Sequence, residues 1–339
     1  MASGEQRAHA AGQSCPAHYR YGASALAGPP THVAETAYVV GGLYGNVEAL
    51  DEILAMRERE RQSSGRDVLL VFNGDHNWLN VAPAGFARVN EVVLANVAIR
   101  GNVETELATP SDGGCGCNYP DYVNAEYVAR SNAVMERLQR TALDFPDIRK
   151  ALGALPMTRT IMVGGERIGI VHGDAETLSG WSFAAERLSA TGRCCSGDEA
   201  DQALTPVETI ERWFREADVT AFLSTHTCLA HARDYVVDGR RRLVANNGAA
   251  GLPNFANSSF GLITRVCADA EPATCSLYGA TVGGVRFDAL PVHYDHARWI
   301  GRFIEDWPKG SAAYAAYFNR IVAGPDFDVA DAIGGSVAR

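Results

Sequence analysis

The sequence predicts an α/β fold in which two mixed β-sheets pack face to face, with helices covering their outer faces. Short apolar runs with strand character alternate with helical patterns through the first half of the chain, and a succession of strands fills residues 232–290. Polar residues of metal-binding types follow several of the apolar runs. Alternating elements followed by a run of strands are typical of layered sheets flanked by helices.

The first half begins with a strand, a turn and a helix. Residues 36–40 are rich in β-forming side chains and end at Gly41-Gly42, and Asn46 is a good N-cap for the helix that follows. The later elements continue this alternation of apolar strands and amphipathic helices. In order, they are a strand over 68–72, a helix over 84–95, a strand into Gly101, a Gly-rich loop over 108–120 and a helix over about 121–140.

The second half contains one clear hairpin and one clear helix start. Gly164-Gly165 separates two short β-rich runs, as a hairpin turn would. Thr205-Pro206-Val207-Glu208 combines a capping box with Pro at the first helical position. The predicted elements are strands over 161–163, 168–171, 219–223, 232–246, 259–267, 275–281 and 284–290, and helices that begin near 207, 294 and 311.

The composition limits the partners of the protein. The formal net charge is −10 and no run of Lys or Arg is present, which argues against binding a nucleic-acid backbone, because such binding neutralises many phosphates. A small substrate is expected. No segment approaches the roughly 18 consecutive apolar residues of a membrane span, and residues 1–30 lack the pattern of a signal peptide. We therefore expect a soluble, cytoplasmic protein without a membrane partner.

Four polar residues that follow apolar runs have the chemistry of one metal site. Their hard oxygens and imidazole nitrogens suit Mn, Fe, Zn or Co better than a metal that prefers thiolates. The strand over 68–72 places the first of them at the carboxyl edge of a sheet, where open α/β folds bind ligands. A domain boundary between the four would divide the site, so one domain is favoured. The four candidate ligands are Asp75, Asn102, His172 and His226.

The same series resembles the calcineurin-like metallophosphoesterases. That family carries five motifs in the order D-x-H, G-D, G-N-H or a G-N-x-D/E variant, H-G and G-H-x-H. The resemblance spans about residues 36–290 and implies a four-layer αββα sandwich that hydrolyses a phosphate ester. The matching segments, in the same order, are Gly74-Asp75, Gly101-Asn102, His172-Gly173 and Thr225-His226-Thr227-Cys228.

Two departures from the family pattern fall on the ligands of its first metal. Where the family has S-D-x-H-G-N, this chain has Gly41-Gly42-Leu43-Tyr44-Gly45-Asn46, and Cys228 replaces the last histidine. The resemblance implies that the four ligands named above complete the second metal position, so one ion is predicted. Binding of two ions is the alternative, because a metal can lower the pKa of the Tyr44 phenol or the Cys228 thiol enough for ligation.

The proton donor of the reaction is also altered. Val103 replaces a histidine that many relatives use to protonate the leaving group, a contribution worth about 10²- to 10⁴-fold in rate. His76, Tyr44 and Glu104 are the candidate catalytic groups nearest in sequence. Each has a structural alternative that involves no proton transfer.

Two glycine-containing segments are candidates for substrate binding. Asn46, at the predicted helix start, follows Gly45 and could receive a phosphate at the helix N-terminus. Asn246, Asn247 and Gly248 resemble the family's N-P-G-S turn, whose backbone amides approach an anion. A plain turn is the alternative for both segments.

The eight cysteines are expected to be reduced, because a chain of this length and apolar content needs no disulfide stapling. Four of them fall in two loops, with C-x-C and C-C spacings that are not those of a metal site. No role is predicted for these four, which are Cys115, Cys117, Cys194 and Cys195.

The predicted function is metal-dependent hydrolysis of a small phosphomonoester or phosphodiester by a metal-bound hydroxide. The alternatives are a non-hydrolytic metal-binding or scaffold protein on the same fold, and a remodelled metal-assisted reaction. The predicted organisation is an N-terminal arm over 1–35, a metallophosphoesterase-like domain over 36–290 and a helical extension over 291–339 packed on the same domain. No sequence feature indicates the substrate or an oligomeric state.

Overall fold

The protein is described by a computed structural model over residues 11–188 and 204–333. Twelve strands in these residues form two six-stranded sheets, each with parallel and antiparallel pairs. The strands are β1 (His32–Ala34), β2 (Thr36–Val40), β3 (Val68–Asn73), β4 (Val97–Ile99), β5 (Thr158–Val163), β6 (Glu166–Val171), β7 (Ala221–Ser224), β8 (His231–Val237), β9 (Arg240–Asn246), β10 (Gly261–Cys267), β11 (Tyr278–Val282) and β12 (Val285–Val292).

The helices of the described residues occur in both halves of the chain, and none of them is long and apolar enough to cross a membrane. Two short 3-10 turns, Ala17–Tyr19 and Ala23–Leu26, precede β1. The helices are α1 (Val47–Ser64), α2 (Pro83–Leu94), α3 (Asn102–Ala108), α4 (Ala125–Ala142), α5 (Pro146–Ala154), α6 (Ala185–Leu188), α7 (Val207–Ala217), α8 (His296–Asp306), α9 (Ala312–Ala323) and α10 (Val329–Ile333).

Parallel strands in both sheets create the edges at which polar loops meet. In one sheet, with the strand order β11-β12-β10-β2-β3-β4, the strands β2, β3 and β4 are parallel to one another. In the other, with the order β1-β5-β6-β7-β9-β8, the strands β6, β7 and β9 are parallel. The carboxyl ends of parallel strands lie at the same edge of a sheet. The loops after β3 and β4 are therefore neighbours, as are the loops after β6, β7 and β9.

Alternating side chains of β2 show how the layers pack. Val39 is buried in an apolar cluster that contains Ile170 and other strand residues of both sheets, but no helical residue. The next residue, Val40, points to the opposite face and joins a cluster with helical residues such as Leu50. On the other sheet, Phe222 packs in a cluster with residues of α7. The predicted four-layer αββα sandwich is confirmed.

Residues 11–35, within the predicted N-terminal arm, pack against the rest of the chain. Tyr19 and Leu26 are buried, and the Tyr19 hydroxyl donates a hydrogen bond to Glu106 Oε1 at 2.6 Å. Strand β1 pairs in parallel with β5 at the edge of a sheet. The composition does not predict this packing, because the packing depends on contacts with residues far away in the sequence.

The helices α8 and α9 pack on the same core as β2 and β3. Trp299 and Phe303 of α8 and Ile321 of α9 are buried in the cluster that contains Val40. The sequence predicts helices near 294 and 311, whereas it does not predict the shorter helices α3, α5, α6 and α10. Helix α7 begins as predicted, but Thr205 does not cap it, since its Oγ1 donates to the Ser182 carbonyl oxygen at 2.7 Å.

Candidate metal centre

Four side chains from both sheets meet where parallel strands end. The ligand atoms of Asp75, His172 and His226 lie within 4.8 Å of one another and could hold a metal ion. Asn102, the first residue of α3, contacts His172 directly. No other group of three or more carboxylate, imidazole or thiol ligands converges in this way within the described ranges. The structure thus brings together all four residues that the sequence predicts as ligands.

Asp75 lies in a left-handed turn beside His172. Its φ of 54° is rare for a non-glycine residue, and the preceding Gly74 has a φ of 88°. A Cβ atom on Gly74 would lie 2.5 Å from His172 Nδ1, so only glycine fits at this position. The Val103 N–H donates to Asp75 Oδ1 at 3.2 Å and helps to orient the carboxylate.

Glu104 fixes the turn of Asp75 through backbone hydrogen bonds. Its side chain is fully buried, and its carboxylate accepts from the N–H groups of Asp75, His76 and Gly101 at 2.8, 2.9 and 2.9 Å. His76 is also fully buried, and its Nε2 donates to the Ile99 carbonyl oxygen at 3.2 Å. A cavity lies beside the four candidate ligands, and neither Glu104 nor His76 lines it. Their contacts are those of residues that position the metal site.

His172 is completely buried, and the backbone of the opposite sheet fixes its orientation. Its Nδ1 donates to the carbonyl oxygen of Asn73, in β3, at 2.9 Å. A carbonyl oxygen can only accept, so Nε2 carries the lone pair of the neutral imidazole. Nε2 lies 3.1 Å from Asn102 Oδ1 and 3.3 Å from Asp75 Oδ1.

The loop over residues 108–120 orients the other two ligands. His226 Nε2 donates to the Cys117 carbonyl oxygen at 2.9 Å, which leaves His226 Nδ1 as the lone-pair nitrogen, 3.1 Å from His172 Nε2. Asn102 Nδ2 donates to the Cys115 carbonyl oxygen at 2.9 Å, and this contact directs Oδ1 toward His172. A backbone carbonyl behind a ligand is a common second contact of metal-binding side chains.

The four ligand atoms are all acceptors when both imidazoles are neutral, which makes their meeting point attractive to a cation. Burial alone would lower the pKa of His172, but the Asp75 carboxylate raises it above its ordinary value. Burial would raise the pKa of Asp75, but positive charge on His172 lowers it. Burial, together with charge on His172, lowers the pKa of His226 to about 4, so this ring is neutral at neutral pH.

Cys115 and Cys117 form a disulfide, so the prediction of reduced thiols is wrong for this pair. Gly114 and Gly116 have φ values of 67° and 65°, and these left-handed residues turn the loop back on itself. The pairing depends on this backbone conformation, which cysteine spacing alone does not indicate. Cys194 and Cys195 lie outside the described residues. The free thiols of the described residues are Cys15, Cys228, Cys267 and Cys275.

Three residues in the two segments that depart from the family pattern lie close together, namely Gly42, Tyr44 and Cys228. The Tyr44 ring lies over Gly42, where a Cβ atom would be 2.5 Å from the ring. The Tyr44 hydroxyl and Cys228 Sγ are 2.8 Å apart, and both side chains are buried. Burial raises the pKa of Cys228 to about 11, despite the nearby Arg320, so the thiol is protonated at neutral pH. Burial also raises the pKa of Tyr44 well above its ordinary value.

The residues predicted to bind substrate do not line the cavity beside the ligands. Asn46 caps α1 through Oδ1 and donates from Nδ2 to the Gly251 carbonyl oxygen, both at 2.9 Å. Asn246 Oδ1 accepts from the Gly248 N–H at 2.8 Å. Asn247 is fully buried, and its side-chain amide has no hydrogen-bond partner among the described residues. The observed contacts are those of a helix cap and a turn.

A cavity of about 890 Å³ lies beside the ligands and is lined by Asp75, Asn102 and His226. Val103 lines it too. Seven of the remaining wall residues are aromatic and two, Glu186 and Asp326, are acidic. Arg320 is the only Arg or Lys side chain of the wall in the part of the chain that the structure describes. The wall residues come from α3, α4, α6, α9 and separate loops. No local sequence pattern connects them with the metal ligands.

No protein-family model and no curated protein sequence matches the chain. A hypothetical protein of Pyrococcus horikoshii has a similar crystal structure, with a TM-score of 0.55 and 17% identity over 87% of this chain and 99% of that one. A metallophosphoesterase of Sphaerobacter thermophilus gives a TM-score of 0.49 and 16% identity over 86% and 99% of the two chains. At these identities the likeness shows the fold alone. The strand topology and the likeness to the Pyrococcus horikoshii structure confirm the predicted fold of two mixed sheets flanked by helices.

Replacing Glu104 by Gln should weaken both the fold and the metal site. The amide nitrogen of the new side chain would face backbone N–H donors, so we expect the free energy of unfolding to fall by about 2 kcal/mol and metal affinity to fall by roughly 10- to 100-fold. Urea unfolding and metal titration measure the two effects. Glu91→Gln, at an exposed position of α2, is the control and should change neither. Unchanged metal affinity in Glu104→Gln would contradict the positioning role.

Replacing Cys228 by Ala should leave metal content unchanged. The thiol is protonated and bonded to Tyr44, and a buried free Cys behaves as a small hydrophobe, so the free energy of unfolding should change by about 1 kcal/mol or less. Elemental analysis and urea unfolding provide the measurements. A thiolate charge-transfer band in the cobalt-substituted protein that disappears in Cys228→Ala would instead identify Cys228 as a ligand.

Proposed function

We propose that the chain binds one divalent transition metal through Asp75, Asn102, His172 and His226, and hydrolyses a small phosphomonoester or phosphodiester. The observation that supports the proposal most is the convergence of four acceptor atoms, with His172 Nε2 within 3.1–3.3 Å of the other three. Four lone pairs at these distances repel one another unless a cation lies among them or His172 Nε2 takes up a proton.

The donor set fits a metal such as Mn, Fe, Zn or Co. Two imidazoles, a carboxylate and an amide oxygen suit borderline and hard divalent ions. The hydrogen bonds to the carbonyl oxygens of Asn73 and Cys117 set the tautomers of the two imidazoles before any ion arrives. When bound, such an ion would polarise a phosphoryl oxygen and lower the pKa of a water molecule.

One ion rather than two is proposed because the two altered segments do not supply the side chains that a second ion would need as ligands. Gly42 has no side chain, and a longer residue there would collide with the Tyr44 ring. The Cys228 thiol is protonated and shares a hydrogen bond with the Tyr44 hydroxyl. Two-metal phosphoesterases hold both oxygens of the displacement between ions roughly 3.5–4 Å apart, so this chain would need another positive group near its single ion.

Proton transfer to the leaving group is expected to be weak. Val103 lines the cavity beside Asn102 and carries no proton that it could donate. The Tyr44 hydroxyl also lines the cavity, but burial raises its pKa well above the ordinary value, which makes it a poor acid. Esters whose leaving group departs without needing a proton should therefore be the better substrates.

A non-hydrolytic metal-binding protein is the second candidate function. It is favoured by the same contact between Tyr44 and Cys228, because neutral groups now lie where relatives place charged ligands of a first metal. A metal-assisted reaction of another kind would use the same four ligands. Metal binding without turnover of any phosphate ester would favour these two alternatives.

Metal content should be near one ion per chain and should fall in His172→Ala and in His226→Ala. Neither imidazole can be spared from a set of four ligands. Elemental analysis of untagged protein purified without chelator, before and after incubation with Mn, Fe, Zn or Co, measures the content. His293→Ala removes an exposed histidine and serves as the control. Failure of the wild-type protein to retain any of the four metals would contradict the proposal.

Turnover should depend strongly on the leaving group. 4-Nitrophenyl phosphate and benzyl phosphate both carry a benzene ring, but only the second releases a basic alkoxide, so we expect it to react roughly 10²- to 10⁴-fold more slowly. Steady-state rates of phosphate release at saturating metal measure the ratio. Equal rates would mean that another group, such as Glu186 or Asp326 in the cavity wall, supplies the proton.

A further inference from the structure

The cavity beside the metal ligands has an aromatic wall that is continuous around it. The wall starts at the ligand His226, whose ring centroid is 5.6 Å from that of Trp181. It continues through Tyr119, Tyr127 and Tyr317, with successive centroids 5.8, 5.8 and 6.4 Å apart. Trp78 and Tyr44 each lie beside Tyr317, at 6.4 and 6.1 Å. All of these residues line the cavity.

The cavity that this wall surrounds is larger than a phosphoryl group alone would fill. A cavity of about 890 Å³ lies within the range of sites that enclose ligands of drug-like size. Aromatic side chains bind flat rings well, through buried area and through offset or edge-to-face contacts. The half-buried rings of Tyr119, Tyr127 and Trp181 are accessible for such contacts. The wall is therefore suited to a flat aromatic group attached to the phosphate.

Arg320 brings a fixed positive charge to the same cavity. It lies near the end of α9, and its Nη2 donates to the Cys228 carbonyl oxygen at 2.9 Å, two residues after the ligand His226. This is the only side-chain hydrogen bond of Arg320 within the described residues, and its Nε is buried without a partner there. The described residues provide no ion pair for it. A partly buried guanidinium with unused donors favours an anion.

The position of Arg320 matches the side of the site that lost its metal ligands. Its charge acts on the Cys228 thiol and on the Tyr44 hydroxyl, the two groups found at the altered motifs. A guanidinium can bind two phosphate oxygens at once and is always charged. It can therefore contribute the second positive group that a single-metal site lacks.

We propose that this cavity is a binding site for a phosphate anion that carries an aromatic group, with Arg320 binding the phosphate beside the metal and the Tyr127 and Trp181 wall binding the ring. The inference names the substrate class of the proposed function and rests on it for the location of the phosphate. Arylphosphates and phosphates that carry a heteroaromatic base belong to this class; methyl and other small alkyl phosphates do not.

The test compares binding of phenylphosphonate and methylphosphonate, neither of which is an ester. Isothermal titration of the manganese-loaded protein should show phenylphosphonate binding about 10- to 100-fold more tightly, because only its ring reaches the aromatic wall. Tyr127→Leu should remove about half or more of this ratio, whereas Tyr127→Phe keeps the ring and should preserve it. Equal affinities for the two phosphonates, or equal ratios in both variants, would overturn the aromatic site.

The role of Arg320 is tested by Arg320→Met, which should weaken both phosphonates by a similar factor of about 10–100. Lys309→Met removes one charge from an exposed turn before α9 and should change neither affinity. Thermal melts check that the variants fold. If Arg320→Met is destabilised, Arg320→Lys is compared instead, and it should keep part of the phosphonate affinity that Arg320→Met loses. An Arg320→Met protein that binds both anions like Lys309→Met would overturn the assignment.

These titrations distinguish failure of the inference from failure of the proposed function. Selective phenylphosphonate binding without turnover of any ester would support the aromatic site and reject the hydrolase. Turnover with equal affinity for both phosphonates would reject the aromatic site and keep the hydrolase. The ratio of the two phosphonate affinities is also measured after metal removal, and an unchanged ratio would show that the ring preference is independent of the ion. If neither the metal-loaded nor the metal-free protein binds a phosphonate, the inference is rejected.

Discussion

His172 is buried between the two sheets and is bonded to both of them. Its Nδ1 donates to the carbonyl oxygen of Asn73, and its own carbonyl oxygen accepts from the N–H groups of Thr225 and His226 at 3.0 and 2.9 Å. One residue therefore links the end of β3 to the loops that follow β6 and β7. A buried polar group left without these bonds would cost about 1–3 kcal/mol. The contacts that hold the edges of the sheets together are thus the same contacts that orient the metal ligand.

The edge around His172 also contains backbone conformations that are unfavourable on their own. Asp75, Tyr44 and Cys228 have φ values of 54°, 57° and 57°, in the left-handed region that side chains other than glycine rarely occupy. Each costs of order 1–3 kcal/mol and persists only where the surroundings impose it. The Glu104 carboxylate imposes the first, and the hydrogen bond from the Cys228 N–H to the Thr225 carbonyl oxygen, at 2.6 Å, restrains the last. Strain concentrated at the candidate site is compatible with a binding geometry formed before a ligand arrives.

The altered half of the site is filled by packing and does not remain as a degraded metal position. The Tyr44 ring covers Gly42, and its hydroxyl pairs with the Cys228 thiol, so neutral groups satisfy one another at the two segments that depart from the family motifs. A fixed positive charge comes from Arg320 on α9, a helix that carries none of the family motifs. This arrangement joins the C-terminal helix α9 to the candidate site, because the Cys228 carbonyl oxygen accepts a hydrogen bond from the Arg320 guanidinium.

Short stretches of the sequence predict most of the strands, the longer helices and the four candidate metal ligands. These features are local: strand and helix periods are visible in short windows, and each ligand directly follows an apolar strand, as Asp75 follows β3. Which side chains face the cavity depends on the tertiary structure. It gave Glu104 and His76 buried structural contacts, paired Cys115 with Cys117, and brought Tyr127 and Arg320 beside the ligands. Such placements depend on how two sheets and distant helices pack, and side chains that meet only through packing leave no pattern in a short stretch of sequence.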